Sequence, residues 1–210
     1  MVPLRKEEPV PAGDTPSRDT QSRTRRVDAR RNEKTLLDAA ARVFANQGVD
    51  APVRQIAAEA GVGVGTVYRH FPQRSDLVIA VYRHQVDACV DLGERLLGRG
   101  SSPLAALEEW VDAFVDFLVT KHGLASVNGG QADEGGLHAY FLDHLVPVCE
   151  RLLEAAREAG ETSTDIGAYE LMRGIGNLCL FGGDDTRYDA RKLSHVLLAG
   201  VALRREPRAD

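Results

Sequence analysis

The chain has few cysteines, no long apolar run and no catalytic signature. Cys89, Cys149 and Cys179 are odd in number, far apart and without a C-x-x-C pair, which argues against a disulfide framework or a structural zinc site. Three thiols buried in helices is the reading preferred to a redox sensor. The six histidines are scattered; His138 and His144 are six apart and share no helical face as an i, i+4 metal pair would. No apolar stretch approaches the length of a bilayer span. The opening residues, MVPLRKEEPVPAGDTPSRD, lack the apolar core of a signal peptide, so a cytoplasmic, membrane-free protein is expected. No nucleophile motif or phosphate-binding glycine loop is present. An enzyme would have to use His144 with Asp143 or His138 as acid–base groups, so the expectation is no enzyme, no cofactor and no metal. Nothing calls for a strand, and no internal repeat stands out.

What is present is the composition of a globular protein, 43% hydrophobic and 27% charged over 210 residues, enough for one large domain or two small ones. The net charge of -5 hides an asymmetry. From Arg18 to Arg74 eleven basic residues stand against six acidic ones, a local excess of about five. The remainder is then about -10. A basic head on an acidic body suits a polyanion-binding module joined to an effector domain.

The most informative stretch is Pro52 to Arg74, PVRQIAAEAGVGVGTVYRHFPQR. Val53, Ile56, Ala57 and Ala60 fall on one helical face, Pro52 suits the first helical position and Gly61 suits the helix end. A second short helix fits from about Val64 to His70, with Val67 and Phe71 packing inward. Two short helices around a glycine-containing turn are the helix-turn-helix signature, whose second helix enters the DNA major groove. Val64, Thr66, Tyr68 and Arg69 are then left facing outward. Hydroxyls reach phosphate oxygens, and an arginine reaches a phosphate or a guanine edge. Gly63 and Gly65 would let the backbone approach a phosphate. On pattern alone, an ordinary pair of surface helices with a glycine turn fits equally well.

Phe44, Gly48, Ile56–Ala57, Ala60–Gly61–Val62 and Gly65–Thr66–Val67–Tyr68–Arg69–His70–Phe71 resemble, in order and spacing, the amino-terminal domain of the tetracycline-repressor (TetR) family. The resemblance covers roughly Arg30 to Tyr82; the remainder matches only in being helical and of suitable length. It implies a homodimeric, ligand-responsive transcriptional regulator, usually a repressor, acting on palindromic double-stranded DNA. It assigns DNA contact to Arg54, Val64, Gly65, Thr66, Tyr68, Arg69, His70 and Arg74, the last as a basic phosphate contact. An activator, or a protein-interaction adaptor carrying the same head, is the alternative. Two departures matter. Many members open the second helix with Ser or Thr where this chain has Ala51–Pro52, and the recognition helix here opens with Gly63–Val64. Polar base reading at Val64 is thereby lost, although its methyls suit a thymine methyl. More of the reading falls to Arg69, a basic arm and DNA shape.

The implied architecture is all-α: a three-helix helix-turn-helix head on an all-helical ligand-binding and dimerisation body. Residues 1–27 read as a disordered basic arm, either a DNA contact or a solubilising tail. The head is 28–76, the body 77–205 and the tail 206–210. The first helix is expected over Arg30–Gln47, with Leu36, Leu37, Ala40, Val43 and Phe44 inward and Gly48 as its cap. The fourth runs from the Gln73–Ser75 segment to about Leu97, linking head to body. The fifth is expected over Leu104–Lys121, then a glycine-rich loop over 122–136. The next covers Leu137–Ala159, with Pro147 expected to kink it. Thr162–Asp165 reads as the start signal for a helix over Ile166–Phe181, and a last helix covers Asp189–Arg204. Candidate effector contacts are Trp110, Phe114, Phe117, Tyr140, Phe141, His144, Met172 and Asn177, although at helical spacing such residues equally build plain core. The effector itself, an unidentified small molecule, is implied only by the resemblance, as is homodimerisation through the last two helices.

Overall fold

A computed structural model of the chain describes residues 18–100, 102–125, 136–180 and 187–202. Among them are eight helices and no strand: α1 (Arg18–Gln47), α2 (Val53–Glu59), α3 (Val64–His70), α4 (Arg74–Leu97), α5 (Pro103–Ala125), α6 (Leu137–Glu158), α7 (Ala168–Leu180) and α8 (Ala190–Ala202). No described helix is long and apolar enough to cross a membrane.

The head follows the apolar spacing. Leu36, Leu37, Ala40, Val43 and Phe44 of α1 are buried, as are Ile56, Ala57, Val67 and Phe71. Gly48 (φ 77°) and Gly61 (φ 68°) hold the left-handed conformations that end α1 and turn the chain from α2 toward α3. Arg42 pairs with Glu59 at 2.9 Å and ties α1 to α2. Helix α4 opens with the backbone N–H of Gln73 donating to the Asp76 carboxylate at 3.0 Å, a cap of the N-terminal amides.

Four boundaries differ from those expected. Helix α1 begins at Arg18, so the irregular arm expected through residue 27 is corrected, and residues 1–17 lie outside the described ones. No proline or glycine interrupts Ser17 to Gln47, so a nucleated helix propagates beyond its apolar stripe, one hydrogen bond per added residue. Helix α5 reaches Ala125, four residues into the expected loop; 126–135 lie outside the described residues, as do the Gly182–Asp185 turn and the tail. Thr162–Asp165 does not cap α7, which begins at Ala168. The Thr162 hydroxyl is instead buried and donates to the Val201 carbonyl of α8. The cap of α7 comes from carboxylates: Glu170 accepts the Gly167 N–H at 3.0 Å and Glu150 the Ala168 N–H at 3.1 Å. Last, α8 begins at Ala190, because Asp189 is used as its cap, accepting the Lys192 N–H at 2.9 Å. Helix α6 continues through Pro147.

In the body α4 packs along α6 and α5, while α7 and α8 pack on each other and on α5. Its core is an aromatic layer. Trp110 stacks on Phe114 at 5.4 Å, Phe141 lies 5.9 Å from Phe114 and 5.7 Å from Phe117, and Tyr82 meets Phe117 edge-on at 5.3 Å. The indole N–H of Trp110 donates to the Cys89 carbonyl at 3.0 Å. Cys89, Cys149 and Cys179 are free and buried, on α4, α6 and α7. Burial, with Asp116 near one thiol and Glu150 near the other, pushes the pKa of Cys89 and of Cys149 up to about 12.

One residue decides how closely α4 and α6 approach. Gly93 is buried on α4, and a Cβ there would lie 2.2 Å from Val148 Cγ1 and 3.3 Å from two indole atoms of Trp110. Val148 is β-branched and stiff, and Trp110 is fully buried and hydrogen-bonded, so neither side chain yields easily. Gly93→Ala should lower stability by about 1–3 kcal/mol, against an intrinsic helical gain of about 1 kcal/mol. Gly176→Ala, where a Cβ meets nothing within 4 Å, should keep that gain. Thermal unfolding of the two variants checks both signs.

Candidate nucleic-acid interface and body cavity

Helix α3, the second of the helix-turn-helix pair, lies open to solvent on one side. Val67 and Phe71 anchor it to the core, at 1% and 8% exposure, while Val64 and Tyr68 stand out at 40% and 52%. Arg54, Gly65, Arg69 and His70 are also exposed and Thr66 is half-buried. Helix α3 is preceded by Gly63 at its N-cap, with no side chain capping it, as the absence of Ser or Thr there implies. A Cβ on Gly63 or Gly65 would meet nothing within 4 Å. Internal packing therefore does not require glycine at either place, and both keep the outer surface low where a phosphate backbone would approach. On α3 itself the exposed set gathers one guanidinium, one phenol, one imidazole and the Val64 side chain within two turns, with the Arg54 guanidinium on α2, the inventory for phosphate and base-edge contact.

Arg74 is placed differently from the phosphate contact that the resemblance implies. Its side chain is half-buried, and Nη2 donates to the carbonyl oxygens of Val49 and of Ala51, the latter at 2.7 Å. Its Nε is buried with no partner among the described residues. The guanidinium thus joins the start of α4 to the turn before α2. The partners lie 25 and 23 residues away, which no local pattern reveals.

A second link binds α4 to the head. His84 Nε2 lies 2.6 Å from Asp38 Oδ1, and Lys34 pairs with the same carboxylate at 3.3 Å. Partial burial pushes the Asp38 carboxyl upward, but the hydrogen bonds and charges of His84 and Lys34 outweigh it and leave the group below its ordinary range. From α4 a further contact reaches α6: the Tyr140 hydroxyl donates to Asp87 at 2.6 Å, with Arg83 over its ring and His144 stacked on it at 3.9 Å.

The body holds a cavity of about 180 Å³ between α5, α6 and α7. Of the expected contacts, Phe114, Phe141, Met172 and Asn177 line it; Trp110, Phe117, Tyr140 and His144 do not. Trp110 and Phe117 belong to the aromatic layer behind it, and Tyr140 and His144 to the α4–α6 link. Leu118, His138, Leu142, Tyr169, Arg173, Gly176 and Leu180 complete the lining. Tyr169, Arg173, Gly176 and Leu180 follow one another on one side of α7 at helical spacing, a signal that was legible. Among the described residues no group of His, Cys, Asp and Glu side chains has the arrangement of a metal site.

Two family models match the chain: bacterial regulatory proteins of the tetR family over residues 36–81, and the C-terminal domain of SbtR-like transcriptional regulators over 102–203. An HTH-type transcriptional regulator of Staphylococcus aureus (strain USA300) is 28% identical over 100 residues, 47% of this chain and 54% of the relative. The chain thus spans about half the length of the curated relatives it matches. A TetR transcriptional regulator from Streptomyces coelicolor superposes with a TM-score of 0.69 at 33% identity, over 84% of this chain and 99% of the other. The TetR-like regulator LfrR from Mycobacterium smegmatis, solved in complex with proflavine, superposes with a TM-score of 0.58 at 26% identity, over 83% and 98%.

Arg74→Ala should leave two turn carbonyls without a donor and destabilise the head by about 1–3 kcal/mol, read as faster amide exchange from Val49 to Val62. A pure phosphate contact would leave that exchange unchanged. Asp38, with its depressed pKa, contributes stability that is present above the ordinary aspartate range and lost as pH falls through its folded value. Between about pH 5 and pH 3, spanning that range, Asp38→Asn should lose less stability than wild type in thermal melts.

Proposed function

Since the chain belongs to the tetR family of bacterial regulatory proteins, we propose that it is a DNA-binding transcriptional regulator. It works as a homodimeric repressor that a small molecule releases from a palindromic operator. One observation carries the reading. The large hydrophobic side chains left exposed among the described residues are Val64, Tyr68, Tyr169, Leu180, Leu193 and Val196. Two stand on the outer face of α3, and the other four on α7 and α8. Apolar side chains clustered in the open mark recognition surfaces: Val64 and Tyr68 face DNA, Leu193 and Val196 on α8 face a copy of the chain, and Tyr169 and Leu180 belong to the cavity mouth.

The dimer face has a helical basis. On α8 Leu193, Val196, Leu197 and Gly200 recur at i, i+3, i+4 and i+7, all exposed or half-exposed, while Ser194, Leu198 and Val201 face the body. Gly174 lets α7 and α8 approach closely, since a Cβ there would touch Leu197 at 3.4 Å. Pairing of α7–α8 with its symmetry copy buries the outer stripe and sets two α3 helices for half-sites about 34 Å apart, one turn of DNA. Linkage then makes the second half-site contact intramolecular.

Release follows from shared walls. The cavity is lined by α5, α6 and α7; α4 packs on α5 and α6 and is joined to the head through Arg74 and His84. A ligand that fits better when these helices shift favours a dimer whose two α3 helices no longer match adjacent half-sites. The response is bounded by its difference in affinity for the two states. The structure of LfrR with proflavine supports a small-molecule site on this scaffold.

Selection from random DNA should recover a palindrome. Arg69→Ala should weaken binding at least about tenfold, and Tyr68→Phe less. Removal of one phosphate-contacting arginine lowers the slope of log affinity against log salt by about one. Val196→Asp should give a folded monomer by sedimentation and lose most operator affinity. A monomeric wild type, or binding no tighter to selected than to unselected DNA, would defeat the proposal.

A further inference from the structure

The cavity in the body has an uneven distribution of charge. Its floor is apolar and closed: Phe114, Leu118, Phe141 and Met172 are all under 8% exposed. Its rim is polar and open, with Arg173 and Asn177 one turn apart on α7. No carboxylate of the described residues lines it. Among the described residues Arg173 makes no ion pair or hydrogen bond, whereas Arg99, Arg151, Arg157 and Arg191 of the body each face a glutamate or an aspartate. The acid nearest to Arg173 in sequence on the same helix face is Glu170, three residues before it. Glu170 is engaged in accepting the Gly167 N–H and capping α7. Among the described residues the guanidinium at the mouth therefore has no counter-charge beside an apolar hole.

Shape narrows the class further. His138 and Phe141 stack at 6.0 Å with planes 14° apart, and Phe141 and Phe114 at 5.9 Å with planes 26° apart. These rings give the cavity an aromatic wall, which suits packing of an aromatic group. A dry apolar cavity of about 150 Å³ holds benzene; the one here, about 180 Å³, has room for one ring and a short side chain.

We infer that the cavity takes a small aromatic carboxylate. Its ring lies against the Phe114–Phe141 wall, and its carboxylate meets the Arg173 guanidinium at the rim, with the Asn177 amide beside it. Such a pairing is a charge-assisted, potentially bidentate contact, and it discriminates against neutral and cationic molecules of the same shape. The inference deepens the ligand-responsive reading above and rests on it for its consequence on DNA, but binding itself is measured without DNA.

The test is calorimetric titration of the full chain with benzoate, phenylacetate and 3-phenylpropionate, each beside its primary amide and the amine of equal length. At least one carboxylate should bind roughly tenfold more tightly than its amide, and the amine should bind most weakly. Arg173→Gln should erase the carboxylate's advantage while the amide's affinity stays put, and Arg173→Lys should restore part of it. Gly176→Leu places a side chain in the cavity from a position with free space around it; it should abolish binding of acids and amides alike. Amides or amines binding as well as the acids, no acid binding more tightly than its amide, or an Arg173→Gln protein that keeps full preference would each overturn the inference. An acid that binds as expected yet leaves a protein–operator complex intact would support the site and count instead against ligand-induced release. Failure to bind any DNA would count against the regulator reading alone.

Discussion

The body depends on one steric allowance, the missing side chain at Gly93. Helix α4 touches both the head and the body, and its contact with α6 is the most extensive between any two helices. Where they cross, Val148 occupies the space that a Cβ on α4 would take, and the Trp110 indole closes the gap while bonding to the Cys89 carbonyl one turn earlier. A small residue there brings two helix backbones together and seats the only tryptophan of the chain in the same step. Phe114, Phe117 and Phe141 then stack outward from that indole. The far side of the stack is the cavity wall. Cavity shape is thus tied to the α4–α6 spacing through a run of aromatic contacts that transmits displacement, because close-packed interiors compress little.

Charged groups mark the seams between elements. Glu161, in the α6–α7 connection, accepts the backbone N–H of Leu104 at 2.6 Å and the Ser102 hydroxyl at 2.8 Å, so the N-terminus of α5 is capped from a distant segment. Asp112 and Asp116 on α5 hold Arg191 of α8, and Asp112 also meets His195 at 2.9 Å. Arg151 on α6 grips Glu94 on α4. Exposed pairs of this kind contribute little stability each, but they fix the register of helices that apolar contact alone would let slide. Glu94, Asp112, Asp116, Glu150, Glu161, Glu170 and Asp189 of the body are all engaged at such seams or at helix caps.

The fold was legible where the interaction was local. Apolar spacing placed Leu36, Leu37, Val43 and Phe44 inside, Gly48 and Gly61 marked turns, and Val67 with Phe71 separated the buried from the open side of α3. The start of α1 was illegible because residues 18–30 carry no apolar period. The roles of Arg74, Thr162 and Glu161 were illegible because their partners lie 23 to 59 residues away. Thr162 shows the difficulty well: Thr-Ser-Thr-Asp has the chemistry of a helix start, yet a carbonyl on α8 takes its hydroxyl and carboxylates from two helices do the capping. Half of the expected cavity residues do not line it, Trp110 and Phe117 lying behind the wall and Tyr140 and His144 at the α4–α6 link, since helical periodicity separates inside from outside but does not tell a cavity lining from a filled core. Arg173 was missed because a charged residue on a helix reads as solvated until its neighbours are known to be engaged elsewhere.

The seating of Arg74 has a mechanical consequence. Helix α4 is 24 residues long, about 36 Å at the helical rise. Because a guanidinium clasps its first turn to the Val49 and Ala51 carbonyls, the head cannot pivot freely on it and swings with it as a lever. A tilt of about 5° around the body end would move the far end by about 3 Å, nearly the spacing of one base pair along the duplex (~3.4 Å). In the proposed symmetric pair the opposite tilts of two such arms would add. Small adjustments near the cavity would then become a misfit of whole base pairs between the two reading helices.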